Sequence, residues 1–246
     1  MKHNETTLII FFRSTIVWVT MALLSVIYCF IGMSILGLPV KKRYAVMRTW
    51  ASAFIILTKK VCKVNYIIRG SVDLIKAPMI IVSNHQSMWE TAGLTHILPS
   101  HVWVIKKELL KVPFFGWGLA TLNPIAINRS RRGQVTAQIY SQAKKVVKQG
   151  LCVLFYPEGT RSNAGKINNF KLGAFRLAKS LNLPIVPVTH NAGYVLPKGG
   201  YFIFPGTIEI IVAAPIYNIE DESEECLKDR VEVIITNNLN TIKHNG

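Results

Sequence analysis

Acidic residues are scarce in most of this chain. Of its 246 residues, 29 are Lys or Arg and 13 are Asp or Glu, which gives a formal net charge of +16. Eight of the acids but only three of the bases lie in residues 209–246, so the first 208 residues hold 26 bases and five acids. Such a surplus is typical of proteins that bind nucleic acid, anionic lipid head groups or phosphorylated substrates.

Motifs for nucleic acid and for metal are missing as well. The sequence has no zinc finger and no RNP-like aromatic pattern, so no nucleic-acid partner is expected. The four cysteines, Cys29, Cys62, Cys152 and Cys226, form no Cys-x-x-Cys pair. Neither a metal site nor a disulfide framework is therefore predicted, and a reduced compartment fits.

Charge is absent from one long segment near the N-terminus. No charged side chain occurs from Ser14 to Val40, a run longer than the roughly 20 residues that cross a bilayer, and Lys41-Lys42-Arg43 follow it. We interpret residues 1–60 as an uncleaved membrane anchor with an interfacial helix. Basic residues just after the anchor predict that the following domain lies on the cytoplasmic side of the inner membrane, and they favour lipid over nucleic acid. The segment could cross the membrane, or it could enter and return as a hairpin near Gly32 to Gly37, and the sequence fits both arrangements.

Apolar runs alternate with helical patterns in the rest of the chain. Residues 44–57 suit a helix at the membrane interface or an ordinary amphipathic core helix. Residues 61–246 are expected to form an α/β domain, with a mainly parallel sheet flanked by helices and an acidic C-terminal surface helix. The predicted strands are 64–70, 79–82, 101–105, 125–129, 151–156 and 185–189, and a late pair at 201–204 and 207–212. The predicted helices are 88–98, 134–149, 173–182 and 222–239.

One histidine follows a predicted strand directly. His85 and Glu90 are five residues apart, which in one unbroken helix would put them about 140° apart. They meet only if His85 lies in the loop and Glu90 in the first helical turn. The acid would then orient one ring nitrogen while the other takes a proton. The alternative is a purely structural role, in which His85 caps the next helix and Glu90 lies near the positive N-terminal end of that helix. No Gly-x-Ser-x-Gly elbow occurs, so a base that acts on a substrate hydroxyl is favoured.

Three further stretches leave strand ends in the same manner. Pro157–Ser162 combines a turn-forming Gly159 with Arg161, whose guanidinium can donate two hydrogen bonds to a phosphate. Asn128–Arg132 gathers three arginines, and Pro184–His190 is a strand bracketed by prolines. Singly they are typical of a turn, a solvated basic face and a core strand. Together with His85 and a membrane anchor, they indicate an enzyme that acts on a lipid phosphate.

The order and spacing of these stretches resemble the glycerolphosphate acyltransferase superfamily, and most closely its bacterial 1-acylglycerol-3-phosphate acyltransferase branch. Asn84-His85 with Glu90 matches Asn-His-x-x-x-x-Asp, and residues 156–162 match Phe-Pro-Glu-Gly-Thr-Arg-Ser. Asn128-Arg129 stands for the family's Asp-Arg, and residues 183–188 for its proline-flanked strand. The resemblance covers residues 60–215. Glu90 for Asp and Asn128 for Asp are the departures from the family pattern.

The resemblance implies that an acyl group moves from acyl-CoA or acyl-carrier protein to the sn-2 hydroxyl of 1-acylglycerol-3-phosphate, which gives phosphatidic acid. In that scheme His85 is the general base and Glu90 orients it. Arg129 and Arg161 hold the phosphate, with Lys106 or Lys171 as further candidates, and Glu158, Gly159 and Thr160 position the acceptor. Val186, Pro187 and Val188 line the acyl-donor side. No metal or other cofactor is expected beyond the acyl donor as co-substrate.

Two other functions fit parts of the sequence. The same chemistry could serve another lyso-lipid, such as one without glycerol phosphate. A non-catalytic anchored protein that binds anionic lipid through its basic face would also explain the charge. That protein would keep its binding after loss of His85 and Glu90.

Overall fold

Seven apolar runs, rich in β-branched residues, form one sheet. The computed structural model describes residues 6–128 and 135–242. Its strands are β1 (Val64–Arg69), β2 (Ile80–Ser83), β3 (His101–Lys106), β4 (Ile125–Ile127), β5 (Cys152–Phe155), β6 (Ile185–His190) and β7 (Gly206–Val212). Their order across the sheet is β1-β7-β6-β2-β5-β3-β4.

Seven α-helices accompany these strands in the described residues. They are α1 (Thr7–Ser34), α2 (Val40–Cys62), α3 (Trp89–Ile97), α4 (Phe115–Ala120), α5 (Val135–Lys148), α6 (Gly173–Leu181) and α7 (Glu224–Thr241). Single 3₁₀ turns lie at Val72–Leu74, Lys107–Lys111 and Ala192–Tyr194. The four predicted helices of the α/β region agree with α3, α5, α6 and α7 to within two residues at each end.

Parallel pairing dominates the sheet. β1 pairs with β7, β2 with both β5 and β6, and β3 with both β4 and β5, all in parallel; β6 with β7 is the antiparallel pair. The prediction of an α/β fold with a mainly parallel sheet flanked by helices is therefore confirmed. The predicted late hairpin is wrong. Residues 201–204 form no strand, because β7 finds its partners in β1 and β6 and leaves them no free neighbour.

Alternate residues of the central strands feed two apolar layers, one on each face of the sheet. Ile81, Leu154 and Val186 join the layer shared with α1, α2 and α3. Ile80, Val153 and Ile185 join the layer shared with α5, α6 and α7. Because both faces are covered, the strands are apolar runs rather than alternating polar and apolar residues.

The C-terminal helix belongs to the second layer. Ser223 caps α7 by accepting a hydrogen bond from the amide of Cys226 at 3.0 Å, and two acids occupy its first turn. Its apolar residues are spaced at three to four positions and are buried: Leu227, Val231, Ile235 and Leu239. The acidic residues occupy the remaining faces, so the predicted surface helix also closes one side of the core.

The first helix has two apolar faces. α1 is 28 residues long and is the one described helix long and apolar enough to cross a membrane. One face packs through Val17, Met21 and Cys29. The opposite face exposes large apolar side chains at helical spacing: Leu8, Phe12, Ile16, Val19, Leu23, Ile27 and Phe30. An exposed apolar stripe of this length indicates contact with lipid.

Both N-terminal helices pack against the α/β region. Tyr44 and Phe54 of α2 share the first core layer with Ile81. Arg43 is buried and donates to the carbonyl of Thr121, so it is not part of the exposed basic surface of Lys41 and Lys42. The chain division at residue 60 stays a prediction.

A substitution on α7 tests its place in the core. Ile235→Ala should lower the free energy of unfolding by about 2–5 kcal/mol, because Ile235 is fully buried and its loss leaves a cavity. Urea unfolding in detergent, followed by circular dichroism, measures the change. Val233→Ala is the matched control, since Val233 is 56% exposed, and it should change the value by less than about 0.5 kcal/mol. Equal losses in both variants would contradict the packing of α7.

Candidate active site

Three central strands deliver polar groups to the same edge of the sheet. β6, β2 and β5 are neighbours and run parallel, so their carboxyl ends meet. β2 is followed by Asn84 and His85, β5 by the turn at Pro157–Arg161, and β6 ends at His190. In open α/β sheets this edge is where ligands usually bind.

His85 and Glu90 are in direct contact. The distance from His85 Nδ1 to Glu90 Oε1 is 2.6 Å, with His85 in the loop and Glu90 in the first turn of α3, which is the geometry that the spacing predicts. The same oxygen accepts the backbone N–H of Gln86 at 3.1 Å. The Tyr156 ring stacks on His85 with centroids 4.2 Å apart and planes inclined by 15°. The imidazole is thus oriented by both a carboxylate and an aromatic face, and 18% of its side chain remains exposed.

The backbone of His85 is held by the turn after β5. Glu158 is buried; its Oε1 accepts the His85 N–H at 2.7 Å and its Oε2 accepts the Asn168 N–H at 2.9 Å. The Ser162 N–H donates to the His85 carbonyl at 2.7 Å. The family resemblance assigns Glu158 to the acceptor phosphate, but its carboxylate faces two backbone amides. These contacts support a role for Glu158 in holding the His85 loop rather than in binding a negatively charged phosphate.

Burial dominates the electrostatics of Glu90. Removal of the carboxylate from water raises its pKa to about 7, while electrostatic attraction to His190 and Arg161 acts in the opposite direction. Burial likewise raises the pKa of Glu158, against the hydrogen bonds from the Asn168 and His85 amides. Burial also lowers the pKa of His190, although Glu90 opposes that shift. Burial thus favours the neutral forms of both acids and of the second histidine.

A cavity of about 770 Å³ opens beside His85. Its apolar wall comes from α1, α2, β3, α4 and the segment before α4, with Tyr28, Trp50, Trp103, Leu109 and Phe115 among the lining residues. Its basic groups are Arg161, Lys106 and Lys198. This combination suits a molecule with a long apolar part and an anionic group.

Most of the predicted acceptor-binding residues reach this cavity. Gly159, at φ +71°, permits the turn after Pro157, and Gly159, Thr160 and Arg161 all line the cavity. Lys106 lines it as well, and the Lys171 ammonium lies against Gly159. Arg129, with the basic cluster 129–132, lies outside the described residues.

The predicted acyl-donor residues have a different place. Val186, Pro187 and Val188 belong to β6, which pairs with β2 along one edge and with β7 along the other. All three residues are buried. Among the described residues that line the cavity, none of the three occurs. Val186 and Val188 belong to the first core layer, and the assignment of all three residues to the acyl-donor side stays a prediction.

Several residues of this site have no recognisable sequence signal. Ser25, Tyr28 and Cys29 of α1 and Trp50 of α2 line the cavity, although their pattern indicates only membrane contact or a core helix. The stacking of Tyr156 on His85 has no local sequence signal either. Within the two described ranges, no three His, Cys, Asp or Glu side chains come together as metal ligands do.

The raised pKa of Glu90 predicts a pH-dependent cost to stability. The folded chain binds this proton more tightly than an unfolded glutamate with a pKa near 4.5, so stability from this group is lost as the pH rises towards about 7. Glu90→Gln lacks the carboxyl and should gain stability over the unmodified protein between about pH 5 and 8, by on the order of 1–3 kcal/mol. Urea unfolding across this range measures the difference. Glu225→Gln, at an exposed site on α7, is the control for the loss of an acid, and a stability difference that stays constant with pH for Glu90→Gln would contradict the assignment.

Comparison with known proteins places the chain in a family. A family model described as Acyltransferase matches residues 60–191. The 1-acyl-sn-glycerol-3-phosphate acyltransferase of Pseudomonas aeruginosa is 39% identical over 193 residues, which cover 78% of this chain and 75% of that protein. The enzyme of the same name from Saccharomyces cerevisiae is 30% identical over 218 residues, covering 87% and 71%.

A solved structure has the same fold. The crystal structure of the 1-acyl-sn-glycerophosphate (LPA) acyltransferase from Thermotoga maritima superposes with a TM-score of 0.81 at 22% identity, and the match covers 96% of each chain. The resemblance seen in the sequence motifs is therefore confirmed by overall similarity and by architecture. The chain belongs to the acyltransferase family.

Proposed function

We propose that this acyltransferase moves a fatty acyl group from acyl-CoA or acyl-carrier protein to the sn-2 hydroxyl of 1-acylglycerol-3-phosphate and so forms phosphatidic acid. The observation that carries the proposal is the Glu90-oriented His85 beside a cavity that combines apolar walls with Arg161. The names of the relatives from Pseudomonas aeruginosa and Saccharomyces cerevisiae support the same acceptor.

The chemistry follows from the orientation of His85. Its Nδ1–H donates to Glu90, so Nε2 carries the lone pair that takes the proton of the acceptor hydroxyl. The hydroxyl oxygen attacks the thioester carbonyl, and the carbon–sulfur bond breaks as the tetrahedral intermediate collapses. The His85 imidazolium returns its proton to the departing thiolate. The ionised Glu90 stabilises that imidazolium and holds its tautomer.

Basic groups would hold the acceptor phosphate. Arg161 offers a bidentate fork, and Lys106 a point charge on the same cavity. Gly159 and Thr160 supply the turn that presents Arg161. We assign Arg129 to the same phosphate on the strength of the family motif.

The first helix would anchor the enzyme in the membrane that holds its substrate. The exposed apolar stripe of α1 faces away from the protein, and Lys41 and Lys42 are exposed just beyond the helix. Basic residues at this position favour a catalytic domain on the cytoplasmic face of the inner membrane.

Acyl transfer by the purified protein in detergent tests the proposal. Acyl-CoA and acyl-carrier protein serve as donors, and lysophosphatidic acid and a lyso-lipid without phosphate serve as acceptors. Transfer to lysophosphatidic acid alone supports the proposed acceptor. Transfer only to the other lyso-lipid keeps the base and rejects the phosphate assignment, and no transfer with either donor contradicts the proposed reaction.

Loss of the base should abolish most of the activity. His85→Ala removes the proton acceptor and should lower kcat by about 10²–10⁴-fold, and circular dichroism checks that the variant is folded. Steady-state kinetics with saturating donor measures kcat. A variant with near-normal kcat would reject His85 as the base.

Loss of the guanidinium fork should weaken acceptor binding. Arg161→Lys keeps one positive charge but not the bidentate geometry, so KM for lysophosphatidic acid should rise by roughly 10-fold with a smaller effect on kcat. Arg176→Lys is the control, since Arg176 lies on α6 and pairs with Glu224. Equal KM values for the two variants would place the phosphate elsewhere.

A further inference from the structure

A second histidine lies behind the catalytic pair. His190 is the last residue of β6 and is fully buried. It is hydrogen-bonded to Asn84, the residue before His85. The His190 N–H donates to Asn84 Oδ1 at 3.0 Å, and Asn84 Nδ2 donates to the His190 carbonyl at 2.8 Å. These bonds tie the end of β6 to the start of the catalytic loop.

The hydrogen bonds of the His190 ring define its tautomer. Nδ1 accepts the backbone N–H of Ala192 at 3.3 Å, so the ring hydrogen sits on Nε2. Nε2 lies 2.9 Å from the Asn84 carbonyl and 3.9 Å from Glu90 Oε2. Within the described residues, Glu90 Oε2 is buried without a hydrogen-bond partner. The electropositive edge of His190 therefore faces the one carboxylate oxygen that His85 does not use.

We propose that His190 is a positioning residue for the catalytic pair, His85 and Glu90. It forms hydrogen bonds with Asn84, and it gives Glu90 Oε2 an electropositive neighbour that keeps the buried carboxylate ionised. Glu90 thus lies between two histidines. Its Oε1 contacts His85, the proposed base, and its Oε2 faces His190. The inference rests on the proposed function, because it assigns His85 as the base.

The surroundings of Glu90 set the sign of the effect. Among the described residues, four titratable or charged groups face it: His85 from the loop after β2, His190 from β6, and Tyr156 and Arg161 from the end of β5 and its turn. Burial favours the protonated acid, and His190 opposes burial. Without the Nε2–H group the His85–Glu90 pair should bind its next proton more tightly. His85 would then become unavailable as a base at a higher pH.

Three substitutions separate this role from simple packing. His190→Asn keeps an acceptor for the Ala192 amide, and His190→Phe keeps the ring volume, but both lack the Nε2–H group. His190→Gln can still donate an N–H towards the Asn84 carbonyl. His101→Phe is the matched control: His101 is equally buried, but it contacts Tyr44 and the Pro99 carbonyl rather than Glu90.

The pH profile of kcat/KM for lysophosphatidic acid is the decisive measurement. His190→Asn and His190→Phe should move the acid limb upwards by about 0.5–1 pH unit and lower kcat/KM at pH 7 by about 3–10-fold. His190→Gln should recover at least half of both effects, and His101→Phe should leave the limb in place. Either the Asn or the Phe variant, if it folds, carries the test. An acid limb that stays in place while thermal stability falls would overturn the proposal and leave His190 as packing alone.

A readout without turnover keeps this inference distinct from the proposed reaction. Diethyl pyrocarbonate modifies unprotonated imidazole, and mass spectrometry of the peptide that contains His85 gives its rate at each pH. The midpoint of this profile should rise in His190→Asn and His190→Phe as the acid limb does. An inactive protein that still shows this rise would count against the proposed reaction only. An unchanged midpoint would overturn the role of His190.

Discussion

The site depends on one buried hydrogen bond, between the Glu90 carboxylate and His85. A carboxylate without solvent is stable only when its environment supplies donors, and Glu90 Oε1 receives two, from the His85 ring and from the Gln86 amide. Both donors come from the loop that follows β2, so this loop must be held in one conformation. The rest of the sheet meets that requirement.

The strand order supplies the supports. β2 lies between β5 and β6, and both neighbours run parallel to it, so their ends flank the catalytic loop. The turn after β5 brings Glu158 to the His85 amide, and β6 ends in the histidine that clasps Asn84. The most characteristic motif in the sequence, at residues 157–161, therefore has two parts: Glu158 faces the loop, while Arg161 faces the cavity.

Local patterns predict much of this arrangement because they depend on local physics. Strand bounds follow from continuous apolar runs and helix bounds from apolar periodicity, and the His85–Glu90 contact follows from a spacing that only a loop-to-helix boundary can satisfy. Non-local pairing is different. Residues 201–204 are as apolar as a strand, yet β7 pairs with β1, which is remote in sequence, and no local signal reveals that. In the same way, a proline-bracketed strand such as Ile185–His190 looks equally suited to a ligand wall and to the centre of a sheet, and only the order of strands decides.

The N-terminal helix shows why anchor and catalytic domain act as one unit. Its outer face exposes Leu23 and Phe30, while its inner face brings Ser25 and Cys29 to the cavity wall. Hydrogen bonds from the Trp18 indole to the Tyr201 carbonyl and from the Ile203 amide to Ser14 Oγ join the same helix to the segment before β7. In the proposed membrane-bound state, this helix contacts lipid on one side and the cavity on the other, which places the cavity beside the acyl-chain layer. An amphiphilic acceptor can then keep its apolar part against apolar surface as it approaches His85, because it need not cross water. The uncharged N-terminal segment thus lines the candidate active site and also carries the face that we propose contacts lipid.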